Sequence, residues 1–478
     1  MSVRDPAQQR LTKIVCTIGP SSSKPAQLRE LVEHGMNIAR LNLAHESAEG
    51  QRQTMKELQR IRSSESLGLG ILFDIRCAQI RTSPVKSPIV IRKESVVSFG
   101  VESLRRKLKP GETFIGVDYP AFGKDARKAT TLLIDNGELS FEIVSVSSQG
   151  LVRARALQDG SIGTRRHINL PSADLSLPTF TAQDWKDIAC AVEEGIDILA
   201  ISFVRTAKDI QDVRAFLRKK RSTIMIIAKI ETRQAVANLS SIIDAADGIM
   251  VARGDLGAEV PFEDVPAIQD HIVRECRALG KPVIVATQML ESMIRHPIPT
   301  RAEVTDVSHA AVTLTDATML SGETASGWHP SGALDAMDRI LRATELRLRS
   351  EQTTVCPILG EVEARAQVAV QLAHSLNVDA IVVMSHSGRS ARAVSKFRPH
   401  VPIIAITDQR SVWGQLALSY GVSSILSSFA GSPETSANRG IEAAKKAKCI
   451  GKGAHIVLVS ETDITGGSTI SVQPRRIQ

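Results

Sequence analysis

Ile224-Met-Ile-Ile-Ala-Lys-Ile230 is an apolar run broken by a single charge, and Gly248-Ile-Met-Val-Ala-Arg253 and Pro282-Val-Ile-Val-Ala-Thr-Gln288 repeat the pattern further along. Each is nearly continuous in apolar residues and rich in β-branched ones. That composition suits a strand buried on both faces, as in a parallel sheet. Between such runs lie stretches with helical spacing, as at 48–62, 207–219 and 266–279. Working outward, the same kind of run recurs at Lys13-Ile-Val-Cys-Thr-Ile-Gly19, Asn37-Ile-Ala-Arg-Leu-Asn-Leu43, Gly70-Ile-Leu-Phe-Asp-Ile75, Asp197-Ile-Leu-Ala-Ile-Ser-Phe203 and Ala317-Thr-Met-Leu-Ser-Gly322. Eight strands in βα alternation predict a closed (β/α)8 barrel.

Two stretches fall outside that rhythm. Between the third and fourth runs come short alternating segments (Ile89-Val-Ile-Arg92, Thr131-Leu-Leu-Ile134, Leu151-Val-Arg-Ala-Arg155) and the turn Ile134-Asp-Asn-Gly137. They predict an inserted β-rich lid, a small β-barrel, with the turn closing a hairpin. After the barrel, helix and strand alternate again through Asp379-Ala-Ile-Val-Val-Met384 and Pro402-Ile-Ile-Ala-Ile406, which predicts a three-layer α/β domain. The expected division is 1–82 with 178–350 for the barrel, 83–177 for the lid and 351–478 for the C-terminal domain.

At 478 residues the chain is too long for one core, in keeping with that division. No apolar run is long enough to cross a bilayer, so no membrane association is expected. The polar opening stretch lacks a signal core. The six cysteines form no C-x-x-C pair, which suits a reducing, cytoplasmic setting rather than a disulfide framework. A net charge of +8 raises nucleic acid as a partner. The basic residues are dispersed, however, and aromatics make up only 3%, too few for base-stacking platforms. No nucleic-acid partner is expected; phosphorylated small molecules fit the charge as well.

In a barrel of this kind, chemistry gathers where strands end. Here the ends carry Arg40 and Asn42, Asp74, Lys229 and Glu231, Arg253 and Asp255, Thr287, and Glu323. Any one of these is ordinarily a solvated end residue or a salt-bridge partner. Together, converging cations and carboxylates suit phosphoryl transfer, in which the protein supplies charge rather than a covalent nucleophile. Arg40 can fork onto a phosphate, Lys229 offers a point charge, and Glu231 with Asp255 suits Mg2+ shared with substrate oxygens. Gly254 leaves the backbone amides approachable. P-loop, dinucleotide, nucleophile-elbow and zinc-protease motifs are absent from the sequence.

The segments Lys13-Ile-Val-Cys-Thr-Ile-Gly-Pro20, Asn37-Ile-Ala-Arg-Leu-Asn42, Ala228-Lys-Ile-Glu231, Gly248-Ile-Met-Val-Ala-Arg-Gly-Asp-Leu-Gly257, Ala286-Thr-Gln-Met-Leu-Glu-Ser-Met293, Pro299-Thr-Arg-Ala-Glu303 and Met319-Leu-Ser-Gly-Glu-Thr-Ala325 resemble, in order, the signatures of the pyruvate kinases. The resemblance covers nearly the whole chain. It implies phosphoryl transfer from phosphoenolpyruvate to ADP, giving pyruvate and ATP, by a homotetramer of barrel, lid and effector domains. It also implies roles: Lys229 for the transferring group, Arg40 for phosphate, Gly254, Asp255 and Thr287 for substrate, with Thr287 near the site of enolpyruvate protonation. Glu231 and Asp255 would hold Mg2+ (or Mn2+ in its place), and Arg81 and Arg166 would face the nucleotide. Rival readings are another barrel enzyme using phosphoenolpyruvate, such as a carbon–carbon lyase, and a regulatory paralogue.

The family's potassium cradle is altered. Asn42, Asp74 and the Ile75 carbonyl remain as ligands for K+, but Ala44 replaces a serine hydroxyl and Gln79 replaces a charged residue. The resemblance therefore implies weak potassium dependence, with Arg76 as an alternative positive charge. His309, where the family has asparagine, is expected to be a satisfied packing residue. Ser385-His-Ser-Gly-Arg-Ser390 opens a helix and matches the loop where the family binds a sugar-phosphate effector, placing Ser385, Ser387, Gly388 and Ser390 at that site. The facing loop Thr465-Gly-Gly-Ser-Thr469 lacks an arginine or tryptophan for a second phosphate, which favours a monophosphate.

Overall fold

The computed structural model describes residues 10–43, 48–64, 68–108, 111–171, 173, 175–348, 356–464 and 467–478. Eight parallel strands close a barrel: Lys13–Ile18, Ile38–Asn42, Gly70–Ile75, Ile198–Ile201, Met225–Ile230, Gly248–Ala252, Val283–Ala286 and Ala317–Leu320. Each pairs with its sequence neighbours, and the first pairs with the last through Lys13↔Ala317 to Cys16↔Leu320. All eight predicted runs are therefore barrel strands, buried throughout except for Asn42 at a mouth position.

Alternate strand residues fill the interior. Val15, Ile38, Leu72, Ile198, Ile227, Met250, Ile284 and Met319 form one apolar cluster, and Ala417 and Leu418 of the C-terminal region seal its floor. The other strand faces pack against the helical ring in a second, larger cluster. Threonines start several ring helices: Thr181 caps Ala182–Glu193 and Thr300 caps Arg301–Val312, each in a reciprocal capping box with the acidic residue three positions on.

Between the third and fourth barrel strands the chain leaves to form a six-stranded sheet and a two-stranded one. Phe99 and Phe141 meet edge to face at 5.2 Å in its core. The turn at Ile134 closes a hairpin between Thr131–Ile134 and Leu139–Val146, with Asp135, Asn136 and Gly137 all at positive φ. After the barrel comes a five-stranded sheet with apolar clusters on both faces. Four of its strands are parallel, and the edge strand Gly467–Arg476 is antiparallel.

A buried ion pair and a cation–π contact fasten this last unit to the barrel floor. Arg398 donates to Asp316 at 2.7 Å, and Asp316 also accepts the Tyr420 N–H at 3.0 Å. Arg62 forks onto Asp197 at 2.7 and 3.1 Å and lies over the Trp413 ring. Only glycine fits at 414, where a Cβ would sit 2.2 Å from the Asp197 carboxyl carbon. Among the described residues, no helix is long and apolar enough to cross a membrane.

Candidate active site

The parallel register sets the polar strand ends side by side at one mouth. Asn42 is the partner of Asp74, and Ala200 of Asp74 across the next pair, so strands two to five present their last side chains together. Asp74, 2% exposed, is the hub. Its Oδ2 accepts Arg40 Nε at 2.9 Å and Nη2 at 2.8 Å; its Oδ1 accepts the Ser202 hydroxyl at 3.0 Å and Lys229 Nζ at 3.3 Å. Burial alone would raise this carboxyl's pKa, but Lys229 and Arg40 outweigh burial and hold it below the carboxylate range.

Lys229 continues the chain of contacts. Its ammonium donates to Ser202 Oγ at 2.8 Å and lies 2.9 Å from Glu231 Oε1. Burial opposes the charge, yet Asp74 and Glu231 together hold the amine above the ordinary lysine value. Glu231 is fully buried. Its Oε2 accepts the Phe203 N–H at 2.6 Å, while Oε1 has only the ion-pair contact and no well-aligned hydrogen bond. Burial pushes this carboxyl up to about 7; Lys229 pulls it down and the nearby Asp255 pushes it up again.

Asp255 sits half-buried on the single turn Arg253–Leu256, which follows strand six directly. Gly254 on that turn donates its N–H to Thr287 Oγ1 at 2.8 Å. Thr287 is held at φ +68, a strained conformation for a β-branched residue, and its hydroxyl donates to the Ala286 carbonyl at 2.6 Å.

The structure thus brings Arg40, Asp74, Lys229 and Glu231 into one connected cluster, with Asp255, Gly254 and Thr287 beside it. Two expected members of the ring turn away. Arg253 reaches outward to Asp306 at 2.6 Å and to the Thr287 carbonyl at 2.7 Å. Glu323 is fully buried and accepts the backbone N–H groups of Leu290 and Ser321, so it holds two loops together. Ser202 and Thr17, whose hydroxyl accepts Arg40 Nη1 at 2.8 Å, are members the sequence reading missed. The signal for Ser202 was a lone hydroxyl at the end of the apolar run Ile-Leu-Ala-Ile.

On the lid side, Arg81 donates to the Arg165 carbonyl at 2.8 Å and to Gln79, and Arg166 pairs with Asp135 at 3.1 Å. His309 pairs with Asp270 at 2.9 Å on the outer face of its helix, satisfied and away from the mouth. In the cradle, Asn42 and Asp74 adjoin and Ile75 is buried, whereas Ala44 lies outside the described residues. At the C-terminal loop, Gly388 adopts φ +74 and leads into helix Arg389–Lys396, whose start has no side-chain cap. Ser385 is buried and its hydroxyl has no partner among the described residues. Ser387 and Ser390 lie on either side of Gly388 and Arg389. Thr465 and Gly466 of the facing loop lie outside the described residues.

Family models for the pyruvate kinase barrel domain and the pyruvate kinase alpha/beta domain match residues 9–334 and 363–472. The chain belongs to the pyruvate kinase family. It is 34% identical to a pyruvate kinase of Sporosarcina psychrophila over 97% of this chain and 80% of that one. It is 36% identical to pyruvate kinase 1 of Trypanosoma brucei brucei over 96% and 94%. A plastidial pyruvate kinase 3 of Arabidopsis thaliana is 37% identical over 98% and 82%. Among solved structures, a pyruvate kinase from Cryptosporidium parvum superposes with a TM-score of 0.89 at 31% identity, covering 98% and 97%. Membership in the pyruvate kinases makes the chain a phosphotransferase, with phosphoenolpyruvate and ADP as substrates and pyruvate and ATP as products.

Proposed function

We propose that catalysis rests on the cluster centred on Lys229, and the observation that carries this is its ammonium, kept charged in a buried site between Asp74 and Glu231. A transferring phosphoryl group spreads negative charge over its oxygens, and a preorganised cation in a low-dielectric site stabilises that charge without reorganisation. Arg40, held rigid by Asp74 and Thr17, grips the phosphate. Gly254 and Thr287 receive the rest of phosphoenolpyruvate, and the Thr287 hydroxyl stands where the enolpyruvate carbon takes its proton.

The residues fit a hard divalent cation. Glu231 offers a buried oxygen without a hydrogen bond, Asp255 a second carboxylate, and substrate oxygens complete the shell. Mg2+, or Mn2+ in its place, would neutralise charge on the reacting oxygens there. The potassium cradle fits poorly. Both oxygens of Asp74 are already engaged by Arg40, Ser202 and Lys229, and Ala44 brings no side-chain oxygen. Arg81 and Arg166, anchored by Gln79 and Asp135, face the nucleotide.

We also assign the lid to 83–177, the barrel to the flanking 1–82 and 178–350, and an effector domain to 351–478. Its loop of Ser385, Ser387, Gly388 and Ser390 would take the phosphate of a sugar monophosphate, the unpartnered Ser385 hydroxyl being the supporting observation. The enzyme would work as a cytoplasmic homotetramer. The test is a coupled assay with phosphoenolpyruvate, ADP and Mg2+, repeated with ribose 5-phosphate, glucose 6-phosphate and fructose 1,6-bisphosphate. Pyruvate formed in step with ATP, and a phosphoenolpyruvate curve shifted by a monophosphate but not in Ser385→Glu, are the expected results. A carbon–carbon lyase would consume phosphoenolpyruvate without ADP.

A further inference from the structure

A cavity of about 370 Å³ lies where the lid joins the barrel, and none of Arg40, Lys229, Glu231, Asp255 or Thr287 lines it. Its walls come from both lid crossings, Ala78 to Ile80 on the way out and Leu175 to Thr179 on the way back. The last lid strand adds Asn169, and the barrel adds Phe203, Ala237 and Glu259. We propose that this cavity is a second small-molecule site, built for a flat, neutral molecule that carries an N–H or O–H donor, whose occupancy sets the lid.

The chemistry of the walls favours a neutral occupant over the enzyme's own anionic substrates. Arg205 has its donors placed on the Leu175 and Leu177 carbonyls and the Thr179 hydroxyl. Arg233 has a partner of its own. His167 is kept neutral at physiological pH, because burial pushes its pKa down to about 4. The Arg205 donors are thus committed to neutral oxygens, and Glu259 adds a carboxyl group to the wall. What remains is an acceptor. Asn169, 4% exposed, donates its amide N–H to Glu259 at 2.8 Å and leaves its own Oδ1 buried without a partner among the described residues. A buried acceptor of this kind carries the cost of desolvation until a donor reaches it. Ile80, Leu170, Leu175, Leu177 and Phe203 make up the apolar part of the surface, and Gln79, Thr232 and Gln234 add further neutral polar groups. Mostly apolar walls with a few placed polar groups are the usual make-up of a small-molecule site.

Position gives the site a consequence. The Phe203 N–H holds Glu231 at 2.6 Å, and Glu259 lies four residues beyond Asp255 on the same loop. An occupant touching both lid crossings and both catalytic loops favours one lid angle, and it does so without entering the mouth.

Benzamide is the probe, and benzoate, of the same shape but anionic, is the control. With the full-length enzyme, benzamide should give ligand-observed saturation-transfer signals with a dissociation constant of about 1 mM, typical of so small a fragment. Benzoate should give none at this site. Benzamide should change kcat about twofold or more at saturating phosphoenolpyruvate and ADP. Ala237→Phe, which fills the cavity from a helix surface, should abolish both effects while turning over normally, and Ala78→Leu should do the same from the other wall. The proposal is overturned by absent saturation transfer, by equal binding of benzoate, by competition of benzamide with either substrate, or by binding that survives both filled variants.

Discussion

The Lys229 ammonium donates to the Ser202 hydroxyl at 2.8 Å, and that hydroxyl in turn donates to Asp74 Oδ1 at 3.0 Å. Ser202 is 4% exposed. It fixes the direction of the lysine, and removing it leaves a buried donor short of a partner. Ser202→Ala is expected to lower kcat about tenfold, the equivalent of about 1.4 kcal/mol, with a smaller change in KM. Unchanged turnover would remove Ser202 from the account.

Metal binding should depend on pH through the Glu231 carboxyl, which burial raises to about 7. The proton and the cation compete for the same oxygens, so below about pH 7 the Mg2+ concentration for half-maximal rate should climb by up to about tenfold per pH unit. Above that pH it should level off. Asp255→Ala should raise the Mg2+ requirement at every pH. Mg2+ titrations at several pH values check both statements.

Potassium should matter little. Asp74 has no lone pair to spare and stands between two protein cations, Arg40 and Lys229. A further cation would leave its hydration shell for few oxygens. Replacing Na+ by K+ at constant ionic strength is expected to change kcat/KM by less than about threefold. Full dependence on K+ would restore the cradle.

Lys13 opens the first barrel strand, 3% exposed; its backbone N–H donates to the Asp316 carbonyl at 2.8 Å, while its ammonium makes no hydrogen bond among the described residues. Burial, reinforced by Arg10, lowers its pKa to about 7, while Glu345 and Asp316 only partly compensate. The folded-state value lies below the unfolded one, so between about pH 7 and 10 the unfolded chain binds more protons and this group's contribution to stability rises with pH. At pH 7 the lysine costs stability, and Lys13→Met should raise the melting temperature, by the equivalent of about 2 kcal/mol or less. Thermal scans of both proteins at pH 7 and pH 9.5 should show the gap narrowing at the higher pH.

Much of this architecture is written locally. Parallel barrel strands are apolar on both faces, so runs such as Ile224–Ile230 identify themselves, and their polar last residues mark the mouth. What the chain does not write locally is which of those ends face one another. Arg253 and Glu323 are polar residues at strand ends like Lys229, and only packing turns one toward Asp306 and the other onto two backbone amides. Ser202 and Thr17 were missed because a hydroxyl acquires meaning only from the charge placed beside it across the barrel. The floor plug of Ala417 and Leu418, and the Asn169–Glu259 contact, join segments far apart in sequence, and no periodicity announces such contacts.

The most direct test of the account is Lys229→Met, measured as kcat and as phosphoenolpyruvate binding at saturating Mg2+. The variant keeps the stem and removes the charge that Asp74 and Glu231 hold in place. If that charge acts on the moving phosphoryl group, kcat should fall about a thousandfold or more while the dissociation constant for phosphoenolpyruvate, read by fluorescence, moves less than about tenfold. A variant that turns over at near-normal rate, or that loses phosphoenolpyruvate binding in proportion to kcat, would contradict it.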